Sequence, residues 1–287
     1  MNRLIIEDYA MTGQTNLPIT HTPTIYMVFS SVDLTTPDEK VAAERIASLE
    51  DVFLPDAVEV SWEQRDPQKC LGMVQFRDHT VQIAGLSMPL PPAVLDQTVH
   101  VSRWQPQIKA AMRQHRSHLS LLYTGKCPDP VDKMIALYQT AHAFDHENLL
   151  GVINPNAWTA HPPADFLAAE MIRTYHQNIP FSLWIGYVKF FIDKQHFWLV
   201  SRGHHIFDVP DLAYLVQADE KLEEIINHFI NIFYYIYEQD VVVTAGDTLA
   251  IQGSNTTMQF SEVEEGADFL MGPSGTLVIE KVRQDKG

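Results

Sequence analysis

The sequence predicts an α/β (α+β) chain built as two tandem ferredoxin-like units (βαββαβ each) packed together. Three observations predict it. Short apolar runs rich in β-branched and aromatic residues alternate with stretches of helical spacing, and the order β-α-β-β-α-β can be read twice. A strand pair flanks a tight turn in each half, at Arg77-Asp78 and at Asp193-Lys194. A helix over 130–145, entered through Pro128 and Pro130, links the halves. The halves share no residue-level identity, so only element order repeats. The expected limits are an N-terminal arm over 1–22, a first unit over 23–126, and a second unit with the linking helix over 127–287.

Residues 1–22 show no sustained period and are rich in Thr, Asn and Gly. Thr24 to Ser31 (TIYMVFSS) suits a central strand. Thr36-Pro37-Asp38-Glu39 reads as a helix start, with Thr36 as cap, Pro37 in the first helical position and Glu39 closing a capping box. Ala42, Ile46, Leu49 and Phe53 then share one helical face. Cys70 to Phe76 and Thr80 to Leu86 form a hairpin, and Pro89, Pro91 and Pro92 break the chain. A helix from about Val94 to Gln114 is expected, its first half weakened by Pro106 and the β-branched run near Val99, and Ser117 to Thr124 is the next strand. In the linking helix, Val131, Met134, Ile135, Tyr138, Ala141 and His142 share a face. The second pass has a strand at Leu149 to Ile153 and a helix from Pro162-Pro163 to Tyr175. A long hairpin follows, Phe181 to Ile192 with His196 to Ser201. A helix over Asp219 to Glu238 aligns Leu222, Ile225, Ile226, Phe229, Phe233 and Ile236. Strands near Thr248 to Gln252 and Leu277 to Val282 complete it.

Hydrophobic residues make up 46% of the 287 and charged residues 20%, an ordinary globular balance. The net charge of -16 is more selective. Such a field repels phosphate backbones, which argues against direct nucleic-acid binding, and steers the chain towards basic proteins. Cys70 and Cys127 are too few for a disulfide framework, have no metal-ligand spacing in sequence, and read as reduced core thiols. Glu7 and Asp8 stand where a signal peptide needs an apolar run. Asn227, His228 and Asn231 interrupt the most apolar helix, Ile225 to Tyr237, which is too short to span a bilayer. A cytoplasmic protein without a membrane partner or a cofactor is expected.

No G-x-G-x-x-G, P-loop or G-x-S-x-G element is present, so the common phosphate cradles and the nucleophile elbow are missing from the sequence. His142 and His146 are one helical turn apart beside Asp145 and Glu147. Without a third ligand in view they read as packed side chains rather than a metal site. His204-His205 follow a strong strand, and Asp208 could orient one of them as a general base. A buried, hydrogen-bonded corner explains the same residues, since no nucleophile is evident nearby. His161 precedes a helix and reads as a capping-region residue. The aromatic hairpin, with Trp184 and Trp198, suits a core covered on both faces, or a partner surface. Glu220, Glu223 and Glu264 are the acids chosen as candidate partner contacts.

Several stretches, in order, resemble the bacterial family filed as domain of unknown function 4261. They are Val81 to Pro92, Trp104, Leu119 to Thr124, Leu150-Gly151-Val152-Ile153, Leu183-Trp184-Ile185 and Gly246-Asp247-Thr248. The resemblance spans roughly 70–260. It departs where that family has a glycine and an acidic pair after the second hairpin strand; here the chain reads Phe207-Asp208-Val209-Pro210-Asp211-Leu212. It implies no established activity and carries over no catalytic residue. It does imply a small cytoplasmic bacterial protein of the accessory or immunity kind. The expected function is therefore a non-enzymatic binding protein, an immunity protein that neutralises a cognate basic toxin. The alternative is a hydrolase acting through His204, His205 and Asp208.

Overall fold

The computed structural model describes residues 22–49, 57–163, 166–250 and 257–282. Thr22 apart, the arm expected over 1–22 lies outside them, as do Phe53, Ala164, Asp165, Ile251 and Gln252 of the expected elements.

The first sheet is organised around β1 (Thr24–Phe29), whose apolar run is buried because strands flank it on both sides. One neighbour is β5 (Ser117–Tyr123) and the other β6 (Leu149–Asn154), so that Met27 pairs with Leu119 and Val152. With β2 (Val58–Arg65), β3 (Lys69–Phe76), β4 (His79–Leu86) and β7 (Thr159–His161), the lateral order is β2-β3-β4-β5-β1-β6-β7. Every pairing is antiparallel. The second sheet holds β8 (Gly186–Phe191), β9 (Phe197–Arg202), β10 (Asp211–Val216), β11 (Thr248–Ala250), β12 (Thr257–Ser261) and β13 (Thr276–Val282), in the order β11-β12-β13-β10-β9-β8. Its parallel pair is β10 with β13, and the chain between them includes the long helix α7 (Leu222–Gln239).

The mixed α+β class holds, with two sheets, but the tandem ferredoxin-like arrangement is not confirmed. β6, expected in the second unit, extends the first sheet, and β7, which the sequence reading did not assign, follows it at the edge. β2, which the sequence reading did not assign, closes the opposite edge although Val58, Val60 and Trp62 alternate with polar residues. β10 and β12 were also unassigned, yet β10 is central. Element order does not set lateral strand order, because distant strands select one another by which apolar faces they bury together.

Several helix boundaries move for local reasons. The first helix, α1 (Glu39–Ala47), starts with Asp38 as its cap, accepting from the Lys40 amide at 3.0 Å. Thr36, the expected cap, is engaged instead by Arg65, which reaches its hydroxyl at 3.0 Å and its carbonyl at 2.9 Å. The expected helix over 94–114 is divided. A short α2 (Pro92–Leu95) continues into a wider π turn at Asp96–His100, and α3 (Pro106–Arg113) starts afresh with Pro106 in its first turn. The linking helix is α4 (Pro130–Ala143), capped by Asp129, whose carboxylate accepts from the Val131 amide at 2.7 Å. Of the helix expected to end at Tyr175, α5 (Ala169–Ile172) is one turn. The expected strand from Phe181 opens as another single turn, α6 (Phe181–Trp184), before β8 begins.

One apolar cluster joins the two sheets. It contains Ile25 and Met27 of the first sheet, Leu199 and Leu212 of the second, Leu137 and Tyr138 of α4, and Phe229 and Phe233 of α7. Smaller clusters cover the opposite faces. Val94, Val99 and Met112 pack on Val28 and Ile153; Leu270, with Phe269 against it, packs among Val188, Phe190 and Val200. Among the described residues no helix is long and apolar enough to cross a membrane.

Trp184, a candidate partner contact, is fully buried. Its ring meets Tyr138, Tyr175, Phe181 and Phe207 with centroids 6.2–6.3 Å away. Trp184→Ala is therefore expected to lower unfolding stability by about 3–5 kcal/mol, as for other buried large-to-small truncations, read as a lower urea midpoint at unchanged slope. A near-unchanged midpoint would show that the indole is not packed as described.

Candidate functional site

The histidine pair sits in the connection from β9 to β10. β9 ends at Ser201-Arg202; Gly203 then takes φ 106°, His204–Phe207 make a single 3-10 turn, Asp208 takes φ 56°, and β10 begins at Asp211. Glycine is required at 203 twice over. Its φ lies in the left-handed region, and a β-carbon there would collide with the Trp184 carbonyl oxygen.

Arg202 and Asp211 form the centre of this corner. Arg202 Nη1 lies 3.1 Å from Asp211 Oδ2, with both side chains almost wholly buried. The guanidinium also donates to the carbonyls of Ser201 at 3.2 Å, Leu270 at 3.1 Å and Phe269 at 2.9 Å, and stacks over the rings of Trp158 and Phe190. Asp211 Oδ1 accepts from the His204 amide at 3.3 Å. Burial pushes the Asp211 carboxyl above the usual carboxylate range, while Arg202 pulls it back. A buried pair with most of its donors and acceptors engaged pins β9, β10 and the 269–276 loop to one another.

His204 is wholly buried and His205 is 5% exposed. His204 Nδ1 donates to the Pro210 carbonyl at 2.9 Å, with the Ser201 hydroxyl 3.3 Å away, and the ring lies 4.9 Å from that of Phe233. Ser201 Oγ itself accepts from the Leu212 amide at 2.8 Å. Asp208, chosen as orienting acid, is exposed on the far side of the turn. The carboxylate that enters the corner is that of Asp211. The arrangement fixes a chain reversal, and it closes the imidazoles off from solvent, where a substrate would have to approach.

The remaining candidates are dispersed. Trp198 is half-buried beside Val188, Phe190 and Phe269, on the sheet face opposite α7. Glu223 and Glu264 are exposed. Glu220 is occupied: it accepts from the Tyr214 hydroxyl at 2.6 Å, from Lys281 at 2.6 Å and from the Gln217 amide at 3.0 Å. His142 Nδ1 donates to the Leu167 carbonyl at 2.7 Å, while His146 stacks on Phe29 at 4.7 Å, so both are packed side chains. His161 ends β7 and is buried against Trp104 and Phe166 rather than sitting at a helix cap. One grouping escaped sequence reading. Asp78, His79 and Cys127 are, among the described residues, the group of three metal-ligating types whose donor atoms converge. Asp78 read as a turn residue and Cys127 as a core thiol, and nothing local in sequence connects positions 78 and 127.

Residues 201–280 match the family model described as Domain of unknown function (DUF4261). The match spans the Arg202–Asp211 corner, α7, β11, β12 and most of β13. Of the stretches that carry the resemblance read across 70–260, Gly246-Asp247-Thr248 lies inside the matched segment and the others lie before it; the segment also contains Glu220, Glu223 and Glu264 as well as both corner histidines. No curated protein and no solved structure matches the chain.

Burial pushes His204 and His161 down to about 4, with Arg103 adding to the shift at His161. In the unfolded chain a histidine titrates near 6.5, so on acidification the unfolded form takes up protons first. The contribution of each is complete above pH ~6.5 and is lost as the pH falls towards 4, roughly 3 kcal/mol apiece. Asp211 has the opposite sign over that range, because its folded-state affinity for a proton is raised. Comparison with a variant isolates one group. His161→Phe is expected to lose about 2–3 kcal/mol less stability than the parent between pH 6.5 and 4.5 in urea titrations. Parallel pH profiles would show that His161 is not the titrating group.

Proposed function

We propose that this chain works by binding a basic protein partner, as an immunity protein that neutralises a cognate bacterial toxin by direct contact in the cytoplasm. The observation that carries this reading is the apolar tip of the β8–β9 hairpin. Phe191 is 48% and Ile192 57% exposed, at the strand that ends the second sheet. Apolar side chains held in water on an edge strand are unfavourable alone and gain when a partner covers them. The hairpin holds the tip rigid: the Ile192 amide donates to the His196 carbonyl at 3.0 Å, and Asp193 accepts from the amides of Gln195 and His196 at 2.7 and 2.8 Å.

Charge supports the sign of the partner. The net charge of -16 attracts basic proteins over a distance. An acidic loop with exposed Glu262, Glu264, Glu265 and Asp268 also packs, through Val263, Ala267 and Phe269, on the same sheet as the hairpin. The alternative, hydrolysis at His204, His205 and Asp208, has less support, since the two imidazoles are buried and Asp208 is not.

The test is co-expression with the product of the neighbouring gene, scored by cell survival and by binding kinetics. Phe191→Asp combined with Ile192→Asp is expected to speed dissociation at least ~10-fold and abolish protection. Glu264→Lys with Glu223→Lys is expected to slow association and flatten its salt dependence. Glu220→Lys should instead destabilise the fold, because Glu220 ties Tyr214 to Lys281. Protection and kinetics unchanged in the first two variants, or no complex with the parent chain, would overturn the reading.

A further inference from the structure

The β3–β4 turn and the loop that leads from β5 into α4 meet at one end of these neighbouring strands of the first sheet. They bring together the carboxylate of Asp78, the imidazole of His79 and the thiol of Cys127, with one donor atom from each within 4.8 Å of the others. We propose that Asp78, His79 and Cys127 form a binding site for a single divalent transition-metal ion of the zinc type, with one coordination position left open.

The donor set selects the metal. Oxygen, nitrogen and sulfur together suit zinc and its neighbours, whereas magnesium and calcium take oxygen alone. Bonds of about 2.0–2.3 Å place neighbouring donors of a tetrahedral site roughly 3.3–3.8 Å apart. His79 Nε2 and Asp78 Oδ1 are 3.8 Å apart and one donor atom of each of the three residues lies within 4.8 Å of the others, so closure onto an ion asks for shifts of about 0.5–1.5 Å shared among the three side chains.

The surroundings are built to hold these donors in place. His79 Nδ1 meets the Tyr123 hydroxyl at 3.0 Å, which sets the ring orientation in the way metal-bound histidines commonly have their second nitrogen engaged by oxygen. The two arms are tied by backbone. The amides of Thr124 and Gly125 donate to the Thr80 carbonyl at 2.8 and 3.1 Å, and that of Lys126 to the Asp78 carbonyl at 3.1 Å. A β-carbon at 125 would come within 2.6 Å of both the Thr80 nitrogen and the Tyr123 hydroxyl, so the close approach needs glycine. His79 and Cys127 are 8% and 6% exposed, whereas Asp78 is open to solvent and offers an entry path.

The local charge favours a cation. Cys127 Sγ lies 3.9 Å from Asp132 Oδ2, and Asp132 in turn lies 3.4 Å from His176 Nδ1. Burial first, and then Asp78, Asp132 and Asp129, hold the Cys127 thiol above its ordinary range, so without an ion it stays protonated. On metal binding the sulfur–hydrogen bond breaks, the proton passes to solvent, and the electron pair becomes the metal–sulfur bond.

The test uses the full chain, freed of metal by chelation and titrated with Zn2+ by calorimetry and with Co2+ by absorption. One equivalent should bind, with a thiolate-to-cobalt charge-transfer band in the near ultraviolet. Cys127→Ser should remove that band, and Asp78→Asn, an exposed substitution that leaves the core untouched, should weaken Zn2+ binding at least ~10-fold. Tyr123→Phe should weaken it ~10–100-fold, and Cys70→Ser should change nothing. Circular dichroism of each metal-free variant establishes that it is folded. No stoichiometric binding by the parent chain, or binding that Asp78→Asn and Cys127→Ser both leave unchanged, would overturn the site.

Discussion

Burial of α4 on almost every side is the constraint from which the rest of the structure follows. A helix carrying Val131, Met134, Ile135, Leu137, Tyr138 and Ala141 cannot be covered by a single neighbour. The inner face of the first sheet, α1 and α5 lie against it, and the turn at His204–Phe207 and the Trp184 ring of α6 add to the enclosure. The aromatic rings of Tyr138, Tyr175, Trp184, Phe207 and Phe233 form a continuous path across this junction. The two sheets are thus held by one core, and a division of the chain into two independently packed halves would leave α4 half exposed.

The buried polar groups of the second sheet are placed where the backbone reverses. The Arg202–Asp211 pair would be costly in an apolar interior by itself, but the guanidinium spends its remaining donors on three carbonyls and the carboxylate takes the His204 amide. The pair closes the β9–β10 turn and anchors the 269–276 loop against the outer face of the second sheet. The acidic residues Glu262, Glu264, Glu265 and Asp268 lie just before that loop, in a segment whose Val263, Ala267 and Phe269 pack with Trp158, Trp198 and Phe190. Order at Arg202 therefore supports the outer acidic surface on which the proposed binding role draws.

Two surfaces remain distinct in chemistry. The β8–β9 tip is apolar, acid-flanked and suited to a protein contact. The Asp78–His79–Cys127 group, at the end of interior strands, is small, polar and suited to an ion. They lie on different sheets, so one can be altered without disturbing the other.

Local chemistry made much of this chain legible from sequence. The helices around Ala42–Ile46, Val131–Ala141 and Ile225–Ile236, the turns at Arg77-Asp78 and Asp193-Lys194 and the strand at Thr24 depend on periodicity, caps and turn geometry. Those act within a few residues. What sequence reading missed or misplaced depended on partners far along the chain. Thr36 lost its capping role to Arg65, Asp211 rather than Asp208 entered the histidine corner, β6 joined the first sheet through β1, and Cys127 met His79 at the end of the β4 and β5 strands. Composition and periodicity marked the longer helices and several of the strands, and left β2, β7, β10 and β12 unassigned. Tertiary structure alone decided which strands lie side by side and which side chains converge, because those choices minimise exposed apolar surface over the whole molecule and leave no mark at any single position.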